Sequence, residues 1–576
     1  MNNLRELLER SAESYGSSKA FTLKTDRETY RDISFIRYLE EVRSLAAAFI
    51  RRGLTEGRIA IIGKNSYNWF LVNAAAQIGG GFSILLDKEL KEDELISNLA
   101  RSGATAIFYD QKEKARVDAA LASGETIVTE AFPLYVCDGV TDTDDLLNEG
   151  KELIGSGDES VGQVVLDPER TSTFLFTSGT TSLSKIVMLS QSNLVANIEG
   201  LMQIEDIHCG DTNIALLPYH HAFGSTGQWY MLACGARTVF CDGLKYLQKN
   251  LKEYGVSVFV GVPLIVESIY KKILRTVEKE GLLGRLNRAS KAVRLLSKVK
   301  IDLRRTIFKS VLDQLGGEMR EVVLGASAPD PVCIQGFNDF GISCIQGYGL
   351  TETSPVLAAE RPGVQRTGSV GLPMPDVEIR IFEPDEKGIG ELIAKGPNIM
   401  QGYYQNEEAT NEVLVDGWFH TGDLGYIDKD GFIFLTGRKK NVIVLKNGEN
   451  VSPEEIETKI ASLPYQMENI VVGLPNNGDE RDLTVTLKLV YNPDYFVISD
   501  SYGSHEMPKE EIEAQIRADI EKINDTFPAA KRIRRMYITD EPMIKTSTGK
   551  VRRFLEIEKI LEEEQAKAEA AEASEA

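Results

Sequence analysis

Residues 58–87 read RIAIIGKNSYNWFLVNAAAQIGGGFSILLD. Two short apolar runs, RIAIIGK and FSILLD, flank NWFLVNAAAQIGGG, which is long enough for a helix and ends on glycines. The preceding IRYLEEVRSLAAAFIRRG, residues 36–53, is helical in the same way, so the order is helix, strand, helix, strand. Strands alternating with helices of this length predict a parallel sheet covered on both faces. Comparable runs recur in VSVFVGVP (256–263), REVVLGASAP (320–329) and GISCIQGYG (341–349), each an apolar strand that runs straight into a glycine or proline turn. In such sheets ligands collect where the strands end.

The fold class expected is therefore α/β. At 576 residues the chain exceeds what one hydrophobic core serves, so more than one domain is expected. After Pro375 the pattern changes to short strands punctuated by Gly, Asp and Asn, as in VEIRIFEPDEKGIGELIAKG (377–396) and FHTGDLGYIDKDGFIFLTG (419–437), which are hairpin signals. NVIVLKNGENVSPEEIE (441–457), NIVVGL (469–474) and TVTLKLV (484–490) then read as a small α+β domain. The division expected is an N-terminal domain over 1–437, built of parallel sheets with helices plus a small β-rich part, a C-terminal domain over 438–560, and an acidic Ala/Glu tail over 561–576. The tail lacks an apolar stripe and is expected to be a frayed helix or disordered.

Composition narrows the function. Hydrophobic residues make up 42% and charged residues 26%, as in an ordinary globular protein. The opening MNNLRELLERSAESYG lacks the apolar core of a secretory signal, and no apolar run reaches the roughly 18 residues of a membrane span, so a cytoplasmic protein is expected. Six scattered cysteines without a CxxC pair suit a reducing compartment, and the five histidines show no HExxH pattern, which argues against a zinc site. A net charge of −21 disfavours binding to nucleic acid. One segment runs the other way. Residues 271–310 hold thirteen Lys or Arg against three acids, with Leu286, Ala289, Val293 and Leu296 at helical spacing. These are basic amphipathic helices. They read either as a solvated face balancing acidic neighbours or as a surface for peripheral contact with anionic lipid or an acidic partner.

Two stretches carry chemistry. FLFTSGTTSLSKIV, residues 174–187, leaves a strand into six small residues, Thr177, Ser178, Gly179, Thr180, Thr181 and Ser182, and then reaches Lys185. Hydroxyls, unobstructed backbone N–H groups and one mobile cation make a phosphate cradle. It is not a Walker A loop, because Ser184 and Ile186 flank the lysine. Standing alone, such a loop is more often an ordinary turn than a nucleotide site. In QGYGLTETSP, residues 346–355, a tyrosine between glycines can lie against a purine, while Thr351 and Glu352 offer oxygen to Mg²⁺.

Together the two stretches resemble the phosphate loop and adenine motif of the adenylate-forming superfamily, which holds the acyl-CoA synthetases, adenylation domains and firefly-type luciferases. LPYHHAFG (217–224), GELIAKGPNIMQGYY (390–404), WFHTGDLGYID (418–428), GRKKNVIVLKNGENVSPEEIE (437–457) and MIKTSTGKVRR (543–553) extend the resemblance over essentially the full chain. It implies an N-terminal AMP-binding domain, a small mobile C-terminal domain, and ATP, Mg²⁺ and CoA as participants. Thr177, Ser178, Gly179, Thr180, Thr181 and Lys185 would hold the β- and γ-phosphates, with Glu352 and Thr177 on the Mg²⁺. Tyr348 would stack on adenine beside Gln346, Gly347, Gly349 and the Ser327-Ala328-Pro329 turn, with Thr351 nearby.

Asp423 would accept the ribose hydroxyls, and Arg438 would reach the ribose or phosphates; the alternative for Asp423 is a hairpin-turn Asx residue. Lys550 would bridge the acid and the α-phosphate in adenylation, though unaided it reads as a solvated basic turn with Lys545, Arg552 and Arg553. His221 would sit beside the reacting carboxylate, with His220 packing or pointing away. Lys439 and Lys440 would form the hinge, and Lys446, Asn447 and Gly448 would swing in beside the CoA pantetheine.

Within the family the chain is most similar to bacterial long-chain fatty acyl-CoA synthetases, on the basic helical insertion before GASAP and on the 437–457 segment. The partners implied are a carboxylic acid and CoA, or a free acyl carrier protein, since no carrier motif follows the small domain. Ser182, Ser184 and Ile186 replace two glycines and a proline of the usual loop. That leaves room for an acyl-binding pseudoenzyme, and a scaffold built on the basic helices is a further alternative.

Overall fold

The computed structural model describes residues 1–137, 139–177, 184–476, 479–500, 503–545 and 551–575. These sort into two compact units, one holding residues 1–177, 184–379 and 394–420, the other 380–393 and 421–575. Among the described residues, no helix is long and apolar enough to cross a membrane.

The quoted stretch forms the strand Arg58–Ile62, the helix Tyr67–Ile78 and the strand Phe82–Leu86, with the two strands parallel from Arg58↔Phe82 to Ile62↔Leu86. Ser66 caps the helix by accepting from the Trp69 N–H. Every residue of that helix is buried, which is why its apolar residues run all the way round rather than along one face. The strands are buried on both sides and so carry continuous rather than alternating apolar residues. Among the described residues they belong to a seven-stranded sheet ordered Gly402–Tyr403, Ile186–Ser190, Thr171–Phe176, Phe82–Leu86, Arg58–Ile62, Ala106–Tyr109, Glu130–Pro133. Ile186–Ser190 runs antiparallel to both of its neighbours, and the strands from Thr171–Phe176 onward run parallel.

A second, nine-stranded sheet of the same unit runs Leu372–Pro373, Val356–Ala359, Ser343–Gly349, Glu321–Leu324, Val258–Gly261, Thr212–Ala215, Arg237–Phe240, Lys19–Asp26, Thr29–Ser34. Its centre is parallel, so the turns after Gly261, Leu324 and Gly349 open along one edge, as the sequence predicts. All three tryptophans lie in this unit, Trp69 and Trp229 at 1% exposure and Trp418 half-buried. The basic segment forms the helices Pro263–Lys279 and Leu283–Lys298. Val293 is buried, with Leu286 and Ala289 packed beside it on the core under the nine-stranded sheet. Leu295, one position from the expected stripe, stands 67% exposed.

In the second unit, residues 423–427 pair antiparallel with Ile433–Arg438. Beyond them a three-stranded sheet, Gln466–Asn476, Asp479–Tyr491 and Arg535–Thr539, packs on the helices Pro453–Ile460 and Lys509–Asn524, the latter through Ile512, Ile516 and Ile520. The Ala/Glu tail continues the helix Arg553–Glu575. The sequence places residues 380–393 and 421–437 with the N-terminal domain; by compactness they fall with the second unit. Strand pairing accounts for this, since Glu378–Phe382, Gly390–Lys395, Trp418–Ile427 and Ile433–Arg438 are successive neighbours in one sheet, and the Glu391 carboxylate adds an acceptance from the Gly422 N–H at 3.0 Å and an ion pair with Lys439 at 3.0 Å.

Candidate active site

The expected phosphate loop joins two antiparallel strands, with Phe176 opposite Ile186. Its ends are tied by the Thr177 N–H, which donates to the Lys185 carbonyl at 3.0 Å. Ser178, Gly179, Thr180 and Thr181 lie outside the described residues, as does Lys550. Lys185 has a definite seat. Its Nζ lies 4.5 Å over the Tyr403 ring, a cation–π contact, and the Tyr403 hydroxyl donates to Glu352 Oε1 at 2.8 Å. Burial first, and the Glu352 charge second, push the Tyr403 phenol well up, so it stays a protonated donor. Tyr403 is placed by pairing with Val187, and Glu352 by the Met400 N–H, which donates to its carbonyl at 2.8 Å. A cation and a carboxylate from motifs far apart in sequence are thus joined through one tyrosine.

The adenine motif occupies the end of Ser343–Gly349 and the turn after it. Gly347 pairs with Ala359, Tyr348 with Ala358 and Gly349 with Val356. Gly349 is obligatory, because a Cβ there would stand 1.8 Å from the Pro355 carbonyl oxygen. That close approach folds residues 350–355 back, and Thr351 and Glu352 sit in a short 3₁₀ turn, Thr351–Thr353. Tyr348 is 8% exposed. Gln346 is fixed by Glu360: the Gln346 N–H donates to Glu360 Oε2 at 3.2 Å, and the Glu360 N–H donates to the Gln346 carbonyl at 2.9 Å. Glu360 is 3% exposed; burial pushes its carboxyl up to about 7 against the opposing pull of two backbone N–H groups, those of Gln346 and Arg366.

The Ser327-Ala328-Pro329 turn follows the strand Glu321–Leu324, with Ser327 and Ala328 exposed and Pro329 buried. Ala326 takes φ 77°, a left-handed conformation that costs an alanine about 1 kcal/mol and marks a constrained turn. Gly325 lies under the Phe223 ring, where a Cβ would meet Cε1 at 2.6 Å. Phe223 sits at the start of the helix Ala222–Ala233, with His221 as its N-cap, so the histidine motif and this turn are held together.

The histidine loop is anchored from the other sheet. Asn65, just past Arg58–Ile62, donates from Nδ2 to the Leu217 carbonyl at 2.6 Å and accepts from the Tyr219 N–H at 3.0 Å. Asp87, just past Phe82–Leu86, places Oδ1 3.2 Å from His220 Nε2. The imidazoles of His220 and His221 lie 4.4 Å apart; His220 is buried and His221 half-buried.

In the second unit, Asp423 lies within the strand Trp418–Ile427 opposite Arg438, so the hairpin-turn reading of it does not hold. Arg438 Nε is 2.7 Å from Asp423 Oδ1, and the carboxylate is 4% exposed. A diol reaching Asp423 must share it with this guanidinium. Lys439 is held by Glu391, and Lys440 is exposed. Lys446 stands 3.9 Å from Asp482, while Asn447 and Gly448 form a tight turn closed by Leu445 and Glu449. Of the cations around position 550, Lys545 pairs with Glu468 and Arg553 with Glu457, so both are structural ion pairs rather than a solvated cluster.

The roles of Tyr403, Asp87, Asn65, Glu360 and Glu391 are not legible as motifs. Asp87 alone gave a signal, as a carboxylate directly at the end of a parallel strand.

The AMP-binding enzyme family model matches residues 8–404, and the AMP-binding enzyme C-terminal domain model matches 440–564. Long-chain-fatty-acid–CoA ligase FadD15 of Mycobacterium tuberculosis is 26% identical over 462 residues, covering 77% of this chain and 76% of its own. Long-chain-fatty-acid–[acyl-carrier-protein] ligase AEE15 of Arabidopsis thaliana is 27% identical over 543 residues, covering 80% and 73%. Among solved structures, the anthranilate CoA ligase AuaEII in complex with anthranoyl-AMP superposes with TM-score 0.74 at 19% identity, covering 96% of each chain. ATP-bound MatB from Rhodopseudomonas palustris does so with TM-score 0.73 at 21%, covering 97% and 99%. With a family model spanning 8–404 laid over the phosphate-loop, adenine and histidine motifs, the chain belongs to the AMP-binding enzymes, the adenylate-forming superfamily.

Proposed function

We propose that the chain is an acyl-CoA synthetase that activates a long-chain fatty acid with ATP and passes the acyl group to CoA. The observation that carries this is the Lys185–Tyr403–Glu352 relay, a cation and a carboxylate held rigidly beside the loop that would cradle a triphosphate. In the first half-reaction a carboxylate oxygen attacks the α-phosphorus of ATP, the α–β phosphoanhydride bond breaks, and pyrophosphate leaves. In the second, the CoA sulfur attacks the acyl carbon, the bond to AMP breaks, and the thiol proton is lost to solvent. Both steps move charge among anions, so the useful tools are fixed cations and dipoles.

Lys185 would neutralise the departing pyrophosphate with the Ser/Thr loop, and Lys550 would bridge the acid and the α-phosphate. His221 would lie at the acid carboxylate, Tyr348, Gln346 and the Ser327–Pro329 turn at adenine, and Asp423 with Arg438 at the ribose. Glu352 suits Mg²⁺: Oε1 takes the Tyr403 hydroxyl, and Oε2 makes no hydrogen bond among the described residues, leaving a hard oxygen donor available. Mg²⁺ bound there with Thr177 would offset the phosphate charge. We place the hinge between the two half-reactions at Lys439-Lys440 and the CoA channel beside Lys446, Asn447 and Gly448.

The long-chain assignment is supported by relatives named for long-chain fatty acids. CoA is the acceptor favoured, with a free acyl carrier protein second on the strength of the AEE15 likeness. We place the protein in the cytoplasm, with peripheral contact to anionic membrane through 271–310. There Leu295, Val299, Ile301, Leu303 and Ile307 stand 42–67% exposed among Arg288, Lys291 and Lys300, an apolar and basic surface on a chain otherwise acidic.

Pyrophosphate release measured with acids from C2 to C18, each with and without CoA or carrier protein, tests the whole reading. A maximum at C12 to C18 that requires CoA for thioester formation is expected. A flat panel would mean an acyl-binding pseudoenzyme and overturn it.

A further inference from the structure

The histidine motif reaches beyond the acid subsite. His220, His221 and Asp87 each present one ligand atom, and all three atoms lie within 4.8 Å of one another. They come from the edges of two different sheets: Asp87 directly follows Phe82–Leu86, and the histidines follow Thr212–Ala215 on a loop tied to Asn65. We propose that these three side chains form a binding site for a single divalent transition-metal ion of the zinc class, and that filling it inhibits the enzyme.

Zinc bonds of 2.0–2.2 Å in a tetrahedron put neighbouring ligand atoms about 3.3–3.5 Å apart. His220 Nε2 and Asp87 Oδ1 already stand at 3.2 Å, so two of the three ligands are at coordinating separation without rearrangement. The third ligand atom, on His221, lies within the same 4.8 Å span. Two imidazoles and one carboxylate are the donor set of open zinc sites with a fourth position for water or substrate. The same set selects against Mg²⁺ and Ca²⁺, which prefer oxygen throughout, so the Mg²⁺ that accompanies ATP would not compete. His220 is 5% exposed, which immobilises one ligand, while Asp87 and His221 are half-buried. Inhibition follows because coordination takes His221 away from the acid carboxylate. That consequence rests on the placement of His221 in the reading above; the binding itself does not.

The test uses the full-length protein stripped of metal. Calorimetric titration with Zn²⁺, and with Co²⁺ followed by its visible absorption, should show one ion per chain. Affinity should fall at least ~10-fold in His220→Ala and again in Asp87→Asn, with excess Mg²⁺ failing to displace the ion and His505→Ala binding like the parent. Thermal unfolding qualifies each variant, and Asp87→Asn reads the site should His220→Ala not fold. Pyrophosphate exchange should fall over the same Zn²⁺ range and return on chelation. Absence of one-to-one binding, or binding unchanged in both variants, overturns the site. Stoichiometric binding with full activity retained overturns the inhibition. A chain inactive toward every acid would leave the titration intact and fail only the catalytic reading.

Discussion

Replacing Tyr403 with phenylalanine removes one oxygen and leaves the ring that carries Lys185. The hydroxyl donates to a carboxylate at 2.8 Å, so its loss costs about 1.5–3 kcal/mol, the range for hydrogen bonds to a charged group. Because Glu352 is then held only by its backbone, that cost should fall on the ATP half-reaction, about 10- to 150-fold in kcat/KM for pyrophosphate exchange. The cation–π seat survives in phenylalanine. Tyr403→Leu removes it too and should lose a further ~0.5–2 kcal/mol. A double-mutant cycle with Glu352→Gln isolates the coupling: if the hydroxyl acts through Glu352, the second substitution adds little once the first is made, leaving an interaction energy of ~1.5 kcal/mol or more. The readout is labelled pyrophosphate exchanged into ATP at saturating acid, with thermal unfolding as a check on folding. Strictly additive losses, or a Tyr403→Phe enzyme within twofold of the parent, would refute the relay.

Gly349→Ala should destabilise the chain by about 1–3 kcal/mol or more and raise KM for ATP, since its methyl group would meet the Pro355 carbonyl at 1.8 Å; thermal unfolding and ATP titration read it. Glu360 carries a carboxyl raised to about 7 against about 4.3 in the unfolded chain, so the folded state holds the extra proton between those values and stability falls as pH rises through that window. Urea unfolding should therefore show Glu360→Gln gaining on the parent by up to ~3 kcal/mol between pH 5 and pH 8; a constant difference would refute it. Lys550→Ala should lose at least ~10²-fold in adenylate formation while making thioester from preformed acyl-AMP far better, and equal losses in both half-reactions would remove it from the adenylation step.

The helix and strand alternation of residues 36–87 was legible because strands buried on both faces must be continuously apolar, a local property. Partnership across long distances was not. Lys19–Asp26 extends the nine-stranded sheet by pairing with Arg237–Phe240, and Gly402–Tyr403 completes the other by pairing with Ile186–Ser190, both across about two hundred residues. Tyr403 could therefore be quoted in a motif without its contact to Glu352 being foreseen. Asp423 was ambiguous for a different reason: between two glycines in a hairpin-rich region, an aspartate reads as turn or strand alike, and only its pairing with Arg438 decides. In the basic helix, residues 295 and 296 differ by 100° of rotation, and which of the two leucines turns inward depends on what the helix packs against. The grouping of residues 380–393 with 421–437 depends on strand pairing across about forty residues, which no local periodicity encodes.

Every indole of this chain belongs to the first unit, two of them sealed in its core, and residues 421–576 have none. Emission excited at the red edge of protein absorption therefore reports the larger body, while the smaller one contributes tyrosines such as Tyr465 and Tyr491 but no indole. A denaturant series followed by that emission and by the far-ultraviolet circular dichroism of the whole chain resolves whether the two bodies come apart in one step or in succession.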